Sequence, residues 1–340
     1  MKLRAIATTA LLLGGCVVES GNLPAPSATG RAADTTTDVR SSGDAGAEAP
    51  FDDAVCLEEA GQSRREQVCH RWRCDGRDAV APARWSGDAS SCLAGELDAD
   101  AGERAVRLVN LHRFIAGVAP VGFEPSWTGA AQECALVAHA NARLSHTPSR
   151  DWRCWSEVAA HASSISLVAN RSAPLAIAAF IEDPGNESTM VHRRWLLSEE
   201  LTAIGIGSTD RYACVVVDGR SLGAGDVTKT RRSSDAPPRG WGAWPPPGPV
   251  PIDVFATERL DEIGWTVQSS SDGLEQATVT VSSSGERLAV RATPLTPSLG
   301  SRSAIRFVPD GWKTEAGRSY VVSIQGPNTI DFTVEPTECP

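Results

Sequence analysis

The apolar residues of this chain change period once, and that change limits what it can fold into. Between Asp100 and Glu182 they recur at helical spacing, whereas from Val279 to Val334 they alternate with period two. In the first region Val106, Val109 and Arg113 share one face of a helix that starts near Asp100. Leu108, Leu111 and Ile115 fill the adjacent face, and Gly117 ends it. A second helix is predicted from an N-cap at Ser126 to about Leu144, with Ala131, Ala135, Ala138 and Ala142 forming a small-residue face suited to close packing. A third spans residues 173–182 and is stopped by Asp183-Pro-Gly. Ile204-Gly-Ile-Gly and residues 213–218 are short and β-branched, as strands of a small sheet should be. Helices outside a few strands predict an α+β domain over residues 99–222.

Farther along, Val279 and Val281, Leu288 and Val290, Ile305 and Phe307, Tyr320 to Ile324, and Ile330 to Val334 each face one way, with Thr, Ser and Arg between them. That pattern predicts an antiparallel, Ig-like β-sandwich over residues 253–340. Residues 223–252 are rich in Pro and Gly and are expected to form a semi-rigid linker. Within it, Trp241 and Trp244 either ride on a plain spacer or dock onto a neighbouring domain.

At the start of the chain, Lys2 and Arg4 precede an apolar run from Ala5 to Leu13, the order of an export signal. Leu13-Gly-Gly-Cys16 resembles the bacterial lipobox, which implies lipid attachment at Cys16, a membrane as partner and residues 1–16 as the signal; the alternative is an ordinary cleaved signal with an incidental Cys. Val17 after it resembles the outer-membrane pattern, so the expected location is the outer membrane or cell surface. Residues 17–50 hold scarcely an aromatic and cannot bury enough apolar surface to offset chain entropy, so they are expected to be a disordered tether. Residues 51–98 form a Cys-rich segment too small to fold firmly without its disulfides. Besides Cys16, the cysteines are Cys56, Cys69, Cys74, Cys92, Cys134, Cys154, Cys214 and Cys339, an even set expected to form disulfides after export. No Cys-x-x-Cys pair occurs, which argues against zinc at the first four. A net charge of -10 without a large basic cluster excludes nucleic acid as the expected partner.

The chain has no Gly-x-Ser-x-Gly elbow, no His-Glu-x-x-His and no glycine-rich phosphate loop. What remains for chemistry is His139, His146, Glu157, His161, Glu182, Asp183 and His192, with Arg193 and Arg194 beside the last. Each His alone reads as a hydrogen-bonded structural residue, but several together open the possibility of a site. The two arginines fit either bridging to acids and loop carbonyls or an anionic-ligand clamp.

Taken in order, Asn110-Leu-His-Arg113, Gly117-Val118, the Ala-rich helix closing on Leu144-Ser-His146, Asp183-Pro-Gly, Val191-His-Arg-Arg-Trp and Ile204-Gly-Ile-Gly resemble the CAP superfamily, also called the SCP domain, and within it the bacterial branch. The resemblance covers roughly Leu108 to Asp218 and implies an α-β-α sandwich around a small antiparallel sheet. It also implies a cleft lined by two His and two acids, carried onto His146 and His192, with Glu157 and Glu182 as the candidate acids. Two neutral imidazoles with carboxylates nearby could hold a divalent cation such as zinc, against a purely structural network. Cys134 is then expected to bridge Cys154, fixing the loop that carries His146, and Cys214 to bridge Cys339. Three functions compete. One is a lipid-anchored, exported protein whose cleft binds a lipid, a small molecule or a cation without catalysis. The second is a metal-assisted hydrolase or peptidase that uses His146 and His192 with Glu157 or Glu182. The third is a structural cell-envelope or adhesion module.

Overall fold

The computed structural model describes residues 63–77, 83–222, 239–271 and 273–340. Cys16, residues 17–50 and Cys56 lie outside the described residues. In chain order the elements begin with helix α1 (Arg64–Gly76) and helix α2 (Ala99–Ala116). Then come strand β1 (Gly122–Phe123), α3 (Pro125–Asn141), α4 (Glu157–Ser164), β2 (Ser166–Ala169), α5 (Ala173–Glu182), α6 (Val191–Leu196), β3 (Ala203–Ser208) and β4 (Ala213–Val216). The second half comprises β5 (Trp241–Trp244), β6 (Gly248–Pro251), α7 (Asp253–Thr257), α8 (Leu260–Ile263), β7 (Trp265–Ser269), β8 (Thr278–Ser283), β9 (Glu286–Leu288), β10 (Val290–Pro294), β11 (Ser303–Pro309), β12 (Tyr320–Gln325) and β13 (Ile330–Thr337).

The first half is an α-β-α sandwich. Its sheet runs β1-β3-β4-β2, with β1 parallel to β3 and the other pairs antiparallel. Alternation along the strands sends Ile204, Ile206, Ala213, Val215 and Leu167 to the face covered by α2 and α5, where Leu108, Leu111, Ile177 and Phe180 join them. Val168, Cys214 and Val216 point the other way, to Cys134, Ala135, Ala131 and Trp127 of α3. The Gly-x-Gly of β3 explains how close that second layer lies. A Cβ on Gly205 would press into Trp127, and one on Gly207 would collide with the main chain of Ala131 and Gln132. The alanine face of α3 and the glycine face of β3 are therefore two halves of one close approach. The helix stops follow local chemistry: Gly117 and Asp183 both take the left-handed conformation at the C-caps of α2 and α5. α3 ends earlier than its apolar pattern predicts, at Asn141 with Ala142 left-handed, so His146 lies in the following loop and shares no helix face with His139.

The second half is a β-sandwich of two sheets, β10-β11-β7-β5 and β6-β13-β12-β8-β9. Every pair is antiparallel except β6 with β13, which departs from the purely antiparallel arrangement expected. Trp265 meets Tyr320 at 5.9 Å and Trp241 meets Phe332 at 5.5 Å, so ring contacts join the sheets across the core. Residues 239–251 correct the linker expectation. They supply β5 at one edge of the first sheet and β6 at one edge of the second, and Trp244 is fully buried. Pro249 and Pro251 are tolerated because β6 pairs on one side only. One hydrophobic cluster runs from α2 and α5 through Trp244 into the sandwich, so the halves share a core.

The disulfides also correct the expected pairing. Cys134 bridges Cys214, because α3 packs directly over β4 and brings their Cα atoms to 6.1 Å. Cys154 bridges Cys92, and Cys339 bridges Cys69 on α1, which lies against α2 and β6. Cys74 is also disulfide-bonded. The N-terminal Cys-rich segment is thus sewn onto both halves. Among the described residues no helix is long and apolar enough to cross a membrane.

Gly207→Ala is expected to lower unfolding free energy in urea by on the order of 3 kcal/mol, the upper range for overpacking. Gly129→Ala, where an added Cβ meets nothing within 4 Å, should raise it by up to ~1 kcal/mol through helix propensity.

Candidate functional site

The corner between α5 and α6 is built around one carboxylate. Asp183 is fully buried at the C-cap of α5. Its Oδ2 accepts from the backbone N–H of His192 at 3.0 Å and of Arg193 at 3.3 Å, which satisfies two free donors at the start of α6. Its Oδ1 accepts from His192 Nδ1 at 2.8 Å and from Asn186 Nδ2 at 2.8 Å. Asp183 thus engages Nδ1 and leaves the other ring nitrogen, Nε2, outside that contact. That Nε2 is buried and unpartnered, and the ring packs at 4.8 Å on Phe180.

Two arginines follow His192, and Arg113 of α2 joins them. Arg193 donates to the carbonyls of Ile181, Glu182 and Gly264 at 2.6–2.8 Å. Arg194 donates to the carbonyls of Thr189, Thr296 and Ser301 and to the Ser301 hydroxyl. Arg113 reaches the carbonyls of Ala119, Leu196, Ser198 and Leu201. All three are at most 1% exposed. Burial pulls Arg113 down to about 9 and Arg193 and Arg194 to about 10, so each remains charged at neutral pH. Of the two roles expected for the Arg pair, bridging to loop carbonyls is the one observed, since a clamp for an anionic ligand would have to face solvent.

The four predicted cleft residues fall into separate surroundings. His192 is 0% exposed and cannot line an open cleft. His146 is half-buried, with Nδ1 at 2.9 Å from the Ser163 carbonyl. The Glu157 side chain is 83% exposed at the start of α4 and lies 3.6 Å from Arg150. Glu182 lies 3.6 Å from Arg259; burial raises its pKa, and Arg259 pulls the other way. Among the described residues no group of three or more His, Cys, Asp or Glu is arranged to hold a metal. His161 meets the Ser221 hydroxyl at 2.9 Å, and His139 sits between the rings of Trp85 and Tyr212.

Sequence reasoning missed a second buried cluster. His112 Nδ1 faces the Leu108 carbonyl at 2.8 Å and Nε2 faces Glu258 Oε1 at 3.0 Å. Both ring nitrogens are thus held by oxygen atoms of the protein. Glu258 Oε2 accepts from Trp244 Nε1 at 2.6 Å. This joins α2 to β5 and the end of α7. His112 stood in the Asn110-Leu-His-Arg113 motif as a signal, but nothing in the sequence marks Glu258 as its partner. Asn110 meanwhile exchanges two bonds with the main chain of Val121, and so pins the start of β1.

Layer order, the Asn110 and Arg113 pins and the Asp183–His192 corner all fall within residues 106–216, which match the family model described as the cysteine-rich secretory protein family, CAP. The chain carries a CAP domain. No curated protein and no solved structure matches it. In this CAP domain the His of the Val191-His-Arg-Arg-Trp motif is a structural centre: it joins the C-cap of α5 to the first turn of α6.

Asp183→Ala is expected to cost about 3 kcal/mol or more in urea unfolding, because it strips the buried His192 of its partner. Glu157→Ala should fall within about 0.5 kcal/mol of the parent, as exposed substitutions do.

Proposed function

We propose that the protein is an exported, lipid-anchored CAP protein that binds a ligand without turning it over. The burial of His192 carries the non-catalytic part. Metal-assisted hydrolysis at His146 and His192, with Glu157 or Glu182 activating water, needs those groups to face one water-filled space. His192 is enclosed with its Nδ1 on Asp183, while Glu157 reaches outward to Arg150. The CAP domain and the Cys69–Cys339, Cys92–Cys154 and Cys134–Cys214 bridges fit an extracellular protein, since such bonds persist in oxidising compartments. Attachment rests on Leu13-Gly-Gly-Cys16 and on the polar residues 17–50 after it, which would hold the folded part away from the membrane.

Cys16→Ser is expected to move the protein from the membrane fraction to the soluble fraction; full retention in the membrane would overturn the anchor. The purified protein should release no product from a peptide library, with added zinc or with a chelator. Zinc-dependent cleavage that His146→Ala abolishes would overturn the non-catalytic assignment.

A further inference from the structure

The Cys92–Cys154 disulfide differs from Cys69–Cys339 and Cys134–Cys214 in its backbone and in its exposure. Both of its cysteines take the left-handed conformation, each at φ 58°. That region suits glycine and strains a residue that carries a Cβ. Cys134 lies in helix α3, Cys214 in strand β4 and Cys69 in helix α1, and among the described cysteines no other has a positive φ. Cys92 is exposed and Cys154 half-buried. Cys134 and Cys214, by contrast, are sealed in a cluster with Ala135, Leu144 and Val168, and Cys69 is 6% exposed.

The bridge joins two loops and no helix or strand. Cys92 lies in the turn between Asp88 and Leu93, whose backbones pair. Cys154 lies in the loop between α3 and α4, which also carries His146. Beside the bridge, the Arg153 guanidinium donates to the carbonyls of Ala89 and Ser90 at 3.4 and 3.2 Å, long contacts at the exposed surface. Opening the bridge therefore lets both turns leave the left-handed region while the regular elements stay intact. The freed Cys154 thiol keeps the Ala89 carbonyl at 3.5 Å as an acceptor.

We infer that Cys92 is a modification site, the sulfur at which a low-molecular-weight thiol exchanges with this bridge. The incoming thiolate attacks Cys92 Sγ, and a mixed disulfide forms there as the Cys92–Cys154 bond breaks. The electron pair leaves on Cys154 Sγ, which takes a proton from water. From that state Cys154 either attacks Cys92 again, expelling the small thiol and restoring the bridge, or a second small thiol attacks the mixed disulfide. The second route releases Cys92 as a thiol and a small-molecule disulfide, so two thiols supply the two electrons. Exposure selects Cys92 over Cys154 as the sulfur attacked, since access governs exchange as much as thiolate character does. In either open form the loop that carries His146 loses its covalent tie to residues 83–97.

The test uses the native full-length protein and reduced glutathione as the thiol, at about pH 8, where a free thiol is partly ionised. Samples are quenched with N-ethylmaleimide, digested and read by mass spectrometry. At the earliest times Cys92 is expected to carry glutathione and Cys154 maleimide. This bridge should open roughly tenfold or more faster than Cys134–Cys214 and Cys69–Cys339, with the far-ultraviolet circular dichroism unchanged. Once it is open, residues 83–97 and 142–156 should exchange amide hydrogens faster, while α3 and β4 keep their protection. Opening of either other bridge first or at an equal rate, glutathione on Cys154 in place of Cys92, or opening only as the circular dichroism is lost would each overturn the assignment. Unchanged hydrogen exchange in both segments would overturn the release of the loop.

Discussion

Buried guanidinium groups bonded to main-chain carbonyls hold this molecule in its shape. Arg113 gathers the carbonyls of Leu196, Ser198 and Leu201, and so forces the chain after α6 back against α2. Arg193 and Arg194 carry the same chemistry across the domain boundary, to Gly264, Thr296 and Ser301 of the sandwich. Neutral carbonyls do not cancel a buried charge, which is why desolvation lowers all three arginines. Each charge-assisted bond nonetheless contributes roughly 1.5–3 kcal/mol, and an arginine makes several. Lysine could not substitute, because a point charge cannot span carbonyls from separate loops as a planar fork does.

The remaining contacts between the halves depend on that clasp. With α6 held in place, Asp183 can cap it and hold His192 in the same contact. Trp244 can enter the shared core and reach Glu258, which in turn meets His112. A crevice at the end of α6 is a by-product of the same docking. Its walls belong to different halves of the chain, and Gly242, in a strand from the proline-rich segment, lines it. A crevice of this kind exists only when both halves are folded and docked. It is also separate from the motif residues that resemble the family's cleft.

Much of the fold was legible because its causes are local. Gly117 and Asp183-Pro-Gly end helices where a left-handed residue is needed, and that need shows in residue type. Period-two alternation placed the strands of the sandwich, and the alanines of α3 announced close packing, whose other half, the glycines of β3, only the structure showed. The candidate site was legible only in part. The motif drew attention to His192 and the arginines beside it, but residue type carries no information about exposure, and the corner turned inward. Asp183, read as a helix stop and left out of the two candidate cleft acids, is the acid bonded to His192. Residues 239–251 were misread because proline content signals a missing donor, and an edge strand has donors to spare.

By itself, the sequence determined the period of each segment, the helix stops, the eight cysteines besides Cys16 and the family of residues 106–216. The tertiary structure alone decided which cysteine meets which, that Glu258 faces His112 across 146 positions, and that His192 lies inside. Periodicity and caps are short-range properties set by neighbouring residues and backbone geometry. Partners far apart in the chain depend on how finished elements dock, and in this protein the docking is set by three arginines whose carbonyl partners have no side-chain signature at all.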